Sequence, residues 1–174
     1  IYEGEFVDER RSGAGKFMFA DGGVYEGDWV KGKEEGAGQL VFSSNSPSLS
    51  YKGAWKYGMR DGVGVYRTKG GDVYEGDWKG DVMDGTGSLT YANGDVYKGT
   101  WSKDIRALGE GRMTYADQSN YSGQWHPRTG DVMEGRKHTL DHSAMRHEEQ
   151  WHRGPAVQDG HGRMVFGNGE TYDG

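Results

Sequence analysis

Along most of the chain, aromatic residues and glycines alternate with charged residues at a period of two. In the segment Tyr25-Glu26-Gly27-Asp28-Trp29, the two rings and the glycine share one face of an extended chain, and the acidic residues share the other. This alternation is typical of a β-strand. A second alternating segment follows each such strand after a short reversal, so the pattern predicts a series of antiparallel β-hairpins.

The same motif recurs along the sequence. A lead of the form Tyr-x-Gly-x-Trp is followed by a Gly-x-Gly pair and then by an aromatic residue, and the leads are spaced by 23, 26, 23, 23 and 24 residues. We predict one array over residues 1–174, with repeats that start near positions 2, 25, 51, 74, 97, 121 and 147 and a partial one at 172. The copies at 121 and 147 are degenerate. We expect this array to be a segment of a longer chain, with further repeats at both ends.

The longest interval between leads has a local explanation. It contains a run of Ser, Asn and Pro from Ser43 to Ser50, which is a loop composition and predicts an extended turn between two repeats.

Composition favours a thin structure. The chain has 32 glycines and 13% aromatic residues, so its core must consist mainly of rings. Glycine weakens a strand unless something needs the space, and we expect rings from neighbouring strands to lie flat over the glycine backbone. Because each hairpin then contacts mainly its neighbours, the sequence predicts an all-β fold: an elongated single-layer antiparallel sheet of stacked hairpins, twisted into a rod or gutter.

Charge and cysteine content exclude several classes of function. The formal net charge of −6 argues against indiscriminate binding to nucleic acid, which requires a cationic excess. The absence of cysteine removes disulfides and thiolate metal sites, and it fits a reducing compartment such as the cytoplasm. No stretch of the sequence resembles a signal peptide or a membrane span.

The sequence contains no constellation that indicates catalysis. Gly13-Ala14-Gly15-Lys16 lacks the full spacing of a phosphate-binding loop and recurs as a structural Gly-x-Gly in other copies. The acidic residues recur with the repeat, whereas a catalytic pair of carboxylates would be unique. We therefore predict that this segment is not an enzyme and has no cofactor.

All six histidines fall between His126 and His161, and four of them raise the question of a zinc site: His138, His142, His147 and His152. No cysteine and no compact ligand motif accompanies them, so we predict no metal. The stretch 126–150 is instead interpreted as a break in the array, a helical insertion, a hinge or a partner site.

The lead, the Gly-x-Gly pair and the following aromatic residue resemble the MORN (membrane occupation and recognition nexus) repeat, and five copies match it in order and spacing. Proteins of this family act as membrane tethers, radial-spoke heads of motile cilia, cortical scaffolds of protists, and accessory modules of lipid kinases or methyltransferases. The resemblance implies a non-enzymatic scaffold of the cytoskeleton or ciliary axoneme that binds cytoskeletal or axonemal proteins and can associate with itself. The alternatives are a phosphoinositide or membrane-attachment module, or the targeting arm of a larger enzyme.

Two sets of residues are candidates for binding. The rings of the leads are candidates for an aromatic-lined partner groove, with the alternative that they simply form the core: Tyr25, Trp29, Tyr51, Trp55, Tyr74, Trp78, Tyr97, Trp101, Tyr121 and Trp125. A basic set in the third repeat is a candidate for contact with anionic lipid, with a solvated mixed-charge face as the alternative: Lys52, Lys56, Arg60, Arg67 and Lys69.

Overall fold

The computed structural model describes residues 1–127 and 156–173, and within these ranges every regular element is a β-strand. The thirteen strands have the following bounds: β1 Tyr2–Val7, β2 Arg10–Met18, β3 Val24–Val30, β4 Lys33–Val41, β5 Ser48–Lys56, β6 Met59–Thr68, β7 Val73–Lys79, β8 Val82–Thr90, β9 Val96–Ser102, β10 Ile105–Thr114, β11 Asn120–Pro127, β12 Ala156–Val165 and β13 Thr171–Asp173.

The chain divides into two compact units, Ile1–Met83 and Asp84–Gly174. In the first unit, strands β1 to β7 are hydrogen-bonded antiparallel neighbours in chain order. In the second unit, the same holds from β8 to β13. The prediction of an all-β fold built from stacked antiparallel hairpins is confirmed.

A two-residue turn joins the strands in each of the first five hairpins, from β1–β2 to β9–β10. Both turn residues have a positive φ, between 48° and 86°, in all five of these turns: Asp8-Glu9, Lys31-Gly32, Tyr57-Gly58, Gly80-Asp81 and Lys103-Asp104. Paired positive φ values define a type I′ turn, whose twist matches the twist of the flanking strands. The turns between hairpins are longer and place one residue at positive φ, as Gly22 and Gly94 show with values of 90° and 92°.

The loop predicted after the second repeat is present but shorter than expected. Strand β4 ends at Val41 and β5 already begins at Ser48, so the last three residues of the Ser43–Ser50 run are extended. The remaining loop residues are anchored by Lys69, whose Nζ donates hydrogen bonds to the carbonyls of Ser43 and Ser44.

The two glycines of each Gly-x-Gly pair have different roles. The first takes a positive φ where the register shifts at a β-bulge, as Gly36 does at 67°. The second lies under a ring: a Cβ added to Gly38 would be only 2.3 Å from the Tyr25 hydroxyl oxygen. The expectation that rings lie over the glycine backbone is therefore confirmed.

At the degenerate end, strand β11 pairs directly with β12. Tyr121 is opposite Met164, and Gly123 is opposite Gly162. The sequence analysis predicted a separate copy starting near 147, and β12 carries the Gly-x-Gly pair of that copy, Gly160 and Gly162. In the structure, the second strand of that copy completes the hairpin begun at Tyr121, because its Gly-x-Gly fits against the lead. The first part of the copy at 147 lies outside the described residues.

The ring face as the candidate functional site

In each unit, one surface of the sheet carries the rings of the leads that the structure describes, and we call this surface the ring face. Cross-strand pairing aligns each lead tyrosine with an apolar residue of the adjacent second strands. In the first unit this row is Tyr2, Phe17, Tyr25, Leu40, Tyr51, Tyr66 and Tyr74. Residues directly opposite one another point to the same side of a sheet, so the row is continuous across the strands of this unit.

The lead rings form the core. Tyr25, Tyr51 and Tyr74 are fully buried, and their tryptophan partners are nearly so. Neighbouring rings meet edge to face, with centroids 5.1 Å apart for Tyr25 and Trp29 and again for Tyr25 and Trp55. This packing gives a one-layer sheet its apolar interior.

Hydrogen bonds fix the rings in this arrangement. The Tyr25 hydroxyl donates to the Asp28 carbonyl at 3.1 Å, and the Tyr51 hydroxyl repeats the contact with Ala54 at 2.9 Å. The Trp55 indole N–H donates to the Gly38 carbonyl at 3.2 Å. Each lead is therefore tied both to its own strand and to the repeat before it, which leaves the rings rigid.

Burial limits what the ten groove candidates can do. The structure places all of them in the core, with exposures from 0% to 7%: Tyr25, Trp29, Tyr51, Trp55, Tyr74, Trp78, Tyr97, Trp101, Tyr121 and Trp125. They are brought together, as expected, but they offer a partner only their outer edges. Their burial agrees with the alternative interpretation, in which these rings form the core. That a partner lies along their face stays a prediction.

The accessible part of the ring face comes from the second strands, which the sequence interpretation did not select. In the first unit Phe17, Phe19, Leu40, Phe42 and Tyr66 are half-buried, so each exposes part of an apolar surface. The ring centroids of Phe17 and Phe19 are 4.8 Å apart, and those of Phe42 and Tyr66 are 6.2 Å apart. We call these five side chains the apolar strip.

Arginines lie on the same face and clamp one repeat to the next. The Arg60 guanidinium carbon is 4.2 Å from the centroid of the Trp78 ring, and Arg11 is 4.1 Å from that of Trp29. Arg60 Nε also donates to Asp81 Oδ1 at 3.0 Å. A guanidinium on an indole face is a favourable cation–π contact. The sequence signal that would have revealed this role is the position of each arginine, two residues after the hairpin turn.

Replacing Arg60 with alanine should lower the free energy of unfolding by about 1–2 kcal/mol, because it removes a partly desolvated cation–π contact and an ion pair. Urea denaturation followed by tryptophan fluorescence measures the change. Arg67→Ala is the matched control, since Arg67 is exposed, and it should change stability by less than about 0.5 kcal/mol. Equal losses in the two variants would show that Arg60 is not a clamp.

The structure separates the five lipid candidates. Lys52, Lys56 and Arg67 are exposed, and the strand alternation puts them on the outer face, opposite to the rings. Arg60 points to the ring face and pairs with Asp81, and the Lys69 ammonium is engaged by loop carbonyls. Only three of the five therefore share one accessible surface. Contact of these residues with lipid stays a prediction.

Burial also changes the acidity of the lead tyrosines. Desolvation raises the pKa of Tyr51 to about 12, although the nearby positive charge of Arg60 lowers it in part. Desolvation likewise raises the pKa of Tyr97 to about 12, and Arg106 has the opposing effect there. At Tyr25 the pKa is also raised, first by burial and then by the carboxylates of Glu34, Asp28 and Glu35. The electrostatic surroundings of the second repeat therefore differ from those of the third and fifth.

A pH dependence follows from these tyrosines. Because the folded-state pKa of Tyr51 is above the unfolded value of 10.0, its contribution to stability is complete below pH 10 and is lost as pH rises to about 12. We expect the free energy of unfolding to fall between pH 10 and 12, and Tyr51→Phe to reduce that slope. Tyr57→Phe, a change in an exposed ring, should leave the slope unaltered. Urea denaturation at a series of pH values tests this, and identical slopes in Tyr51→Phe and the parent chain would contradict it.

The remaining chemical candidates are mostly outside the described residues. His138, His142, His147 and His152 all lie in the range 128–155, where the predictions about a break or a partner site also fall. Among the side chains that the structure describes, no group of three or more metal-ligating residues comes together. No helix in the described ranges has the length and apolar character needed to cross a membrane.

The hairpins and the ring face define a class of protein: a repeat protein in which a small β unit is stacked and each unit completes the core of its neighbour. Comparison with known families identifies the unit. The MORN repeat matches residues 2–24, 25–46, 51–73, 74–96, 97–120 and 150–171, and the chain belongs to the MORN repeat family. This match confirms the resemblance stated from the sequence. MORN repeats act as binding modules for proteins or membranes.

No curated protein matches the chain. Among solved structures, it is similar to the SAS-4 (dCPAP) TCP domain in complex with a Proline Rich Motif of Ana2 (dSTIL) of Drosophila melanogaster, with a TM-score of 0.51 and 10% sequence identity, over 93% of this chain and 71% of that one. At this identity, the likeness is one of fold.

Proposed function

We propose that the chain is a non-enzymatic scaffold that binds partner proteins along its ring face. We infer, as part of the same proposal, that this scaffold works in the cytoskeleton or the ciliary axoneme, on the strength of the resemblance to radial-spoke-head and protist MORN proteins. The binding class of the family and the rigidity of the ring face support it. The location is tested separately, by imaging the tagged protein in cells.

The observation that carries the proposal is the apolar strip. All strands of the first unit belong to one sheet, so within this unit no second layer covers the ring face. Phe17, Phe19 and Phe42 therefore expose apolar surface. They lie on the same face as the buried lead rings, which hydrogen bonds hold rigid. A rigid aromatic surface binds at low entropic cost, because little side-chain freedom is lost on association.

The partner segment that fits this surface is extended and rich in proline. Proline-rich segments form a preformed polyproline II helix, and they dock in grooves lined by aromatic residues. The structurally similar TCP domain is described in complex with a proline-rich motif, which supports the same occupant here. We therefore propose that the apolar strip holds a proline-rich segment of a partner protein.

The test is a binding titration with a fluorescein-labelled decaproline peptide, followed by fluorescence anisotropy, with a glycine–serine decapeptide as the negative control. We expect only decaproline to bind, and Phe42→Ser to weaken its affinity about tenfold through loss of an aromatic contact. Val63→Ser removes an exposed apolar side chain of the outer face and should change the affinity less than about twofold. Absence of decaproline binding, or a larger effect of Val63→Ser, would overturn the proposed occupant.

Membrane attachment is a second candidate because Lys52, Lys56 and Arg67 share the outer face of β5 and β6. Basic residues at a surface are attracted to anionic lipid. Flotation with phosphoinositide-containing vesicles discriminates between the two functions. Salt-sensitive flotation that is abolished by Lys52→Glu and Lys56→Glu together would favour membrane attachment. A chain that binds decaproline but does not float with the vesicles would favour the protein scaffold.

A further inference from the structure

The members of the apolar strip recur with the repeat. Phe17, Leu40 and Tyr66 are equivalent, because each lies on a second strand and pairs with the lead tyrosine of the next repeat. One lead strand lies between each two of these second strands. Because neighbouring strands are about 4.8 Å apart, the equivalent members of the strip recur at intervals of about 9.6 Å.

A polyproline II helix repeats over almost the same length. It has three residues per turn and a rise of about 3.1 Å per residue, so residues i, i+3 and i+6 share one face at intervals of about 9.3 Å. The face of an extended β-strand recurs at about 6.8 Å, and an α-helix completes a turn in about 5.4 Å. Of these conformations, polyproline II therefore matches the spacing of the repeats most closely when the segment runs across the strands.

Two hydroxyl groups distinguish the third repeat. Among the five members of the strip, only Tyr66 has a polar side-chain atom, and its hydroxyl oxygen is 2.5 Å from Ser48 Oγ. Ser48 belongs to the run from Ser43 to Ser50, which lengthens the interval between the second and third leads. The Tyr66 ring is held between Phe42 and Trp78, at centroid distances of 6.2 Å and 5.9 Å. We call the Ser48 and Tyr66 hydroxyls the hydroxyl pair, and these contacts fix its place at one end of the strip.

The hydroxyl pair has one proton left for a further hydrogen bond. Each hydroxyl has a single O–H, and the hydroxyl that accepts the bond between them keeps its own proton. Within the described ranges neither hydroxyl has another partner, and both side chains are half-buried, so a segment on the strip can reach this proton. The prolines of such a segment have no N–H, and the carbonyls of polyproline II have no internal partner. A carbonyl of the segment is therefore the acceptor that fits.

We propose that the apolar strip binds its proline-rich segment in steps of three residues, one step for each repeat. Residues i, i+3 and i+6 of the segment contact the first, second and third repeats in turn. At the third repeat a carbonyl of the segment accepts a hydrogen bond from the hydroxyl pair, which fixes the register of the segment on the strip. This inference rests on the proposed function and specifies the partner: a segment with proline at every third position over about seven residues.

Two labelled nonapeptides of equal composition test the period of three. Each contains six prolines and three hydroxyprolines, and binding is followed by fluorescence anisotropy. In the first peptide, hydroxyproline at the first, fourth and seventh residues occupies one face and leaves the other two faces entirely proline. In the second, hydroxyproline at the fourth, fifth and sixth residues interrupts every face. We expect the first to bind within about twofold of nonaproline and the second about fivefold more weakly, because a hydroxyl must then be desolvated against the strip.

A double variant tests the hydroxyl pair. Ser48→Ala with Tyr66→Phe removes both hydroxyls and keeps the ring, and it should weaken nonaproline binding about fivefold through loss of one hydrogen bond. The variant should still prefer the first nonapeptide to the second, because the strip itself is unchanged. Ser50→Ala with Tyr57→Phe is the matched control. Ser50 lies on the outer face and the Tyr57 ring is 63% exposed, so the control should change the affinity less than about twofold.

Equal affinities of the two nonapeptides would overturn the period of three. A nonaproline affinity that is the same in the double variant and its control would overturn the contact with the hydroxyl pair. If decaproline binds and Phe42→Ser weakens its binding, either of these results would refute the inference and leave the proposed function intact. Absence of decaproline binding would refute the proline-rich occupant itself, and this inference with it.

Discussion

Replacing Gly64 with alanine is expected to lower the free energy of unfolding by about 3 kcal/mol, the upper part of the range for overpacking a closely packed site. A Cβ at Gly64 would lie 2.3 Å from the Tyr51 hydroxyl oxygen and 2.5 Å from its ring carbons. The ring cannot move away easily, because its hydroxyl donates to Ala54 and its edges contact Trp55 and Trp78. Chemical denaturation with far-UV circular dichroism measures the loss.

Gly70 provides the matched control for this experiment. The nearest atom to a Cβ built at Gly70 is the Thr68 hydroxyl oxygen at 3.5 Å, which is an ordinary contact. Gly70→Ala should therefore change the free energy of unfolding by less than about 0.5 kcal/mol. If Gly64→Ala were tolerated as well as Gly70→Ala, the glycine would not be present to receive the ring.

Replacing Trp78 with alanine is expected to cost about 4 kcal/mol, as removal of a large buried ring from a core usually does. Trp78 is 5% exposed and contacts the rings of Tyr51, Tyr66 and Tyr74. Its loss also deprives Arg60 of the surface on which the guanidinium lies. Because these contacts join β5, β6 and β7, the variant should lose the packing between two successive repeats.

Thermal unfolding followed by circular dichroism tests this expectation, with Tyr57→Ala as the control for loss of a ring. Tyr57 is 63% exposed, so its removal should change stability by less than about 0.5 kcal/mol. A Trp78→Ala chain as stable as Tyr57→Ala would mean that the lead tryptophans are dispensable for folding, contrary to the packing described above.

The fold could be predicted from the sequence because two local signals agree. Alternation of Tyr25, Gly27 and Trp29 with acidic residues fixes a strand with one apolar face, and the repeat period fixes the stacking of hairpins. In a one-layer sheet, the rings can be buried mainly in the space that the glycines, which lack a side chain, leave on the same face. The same reasoning predicted that rings would cover glycines, which the contacts of Tyr25 with Gly38 confirm.

The accessible residues of the site could not be obtained in this way. Sequence alternation shows that Trp55 and Phe42 both point to the ring face, but it does not show which of the two is covered. Coverage depends on the neighbouring strands: Trp55 lies between two tyrosines, whereas Phe42 follows the last residue of β4 and lies beside Tyr66. Exposure is therefore a property of the packed array.

For the arginines, by contrast, the sequence held a signal that the grouping of lipid candidates did not use. Arg60 and Arg67 belong to one basic run in the sequence, and both were grouped as lipid candidates. They are an odd number of positions apart on β6, so the strand alternation alone places them on opposite faces. The pairing of β11 with β12 was hidden, because residues far apart in sequence complete one hairpin.

The central claim is that partners bind the ring face of the array. Hydroxyl-radical footprinting of the chain with and without decaproline tests it most directly, because the method reports the solvent accessibility of individual side chains. We expect the peptide to protect Phe19 and Phe42 and to leave the labelling of the outer-face residues Met59 and Val63 unchanged. Protection of Met59 and Val63 with unaltered labelling of the phenylalanines would place the partner on the opposite face and contradict the account.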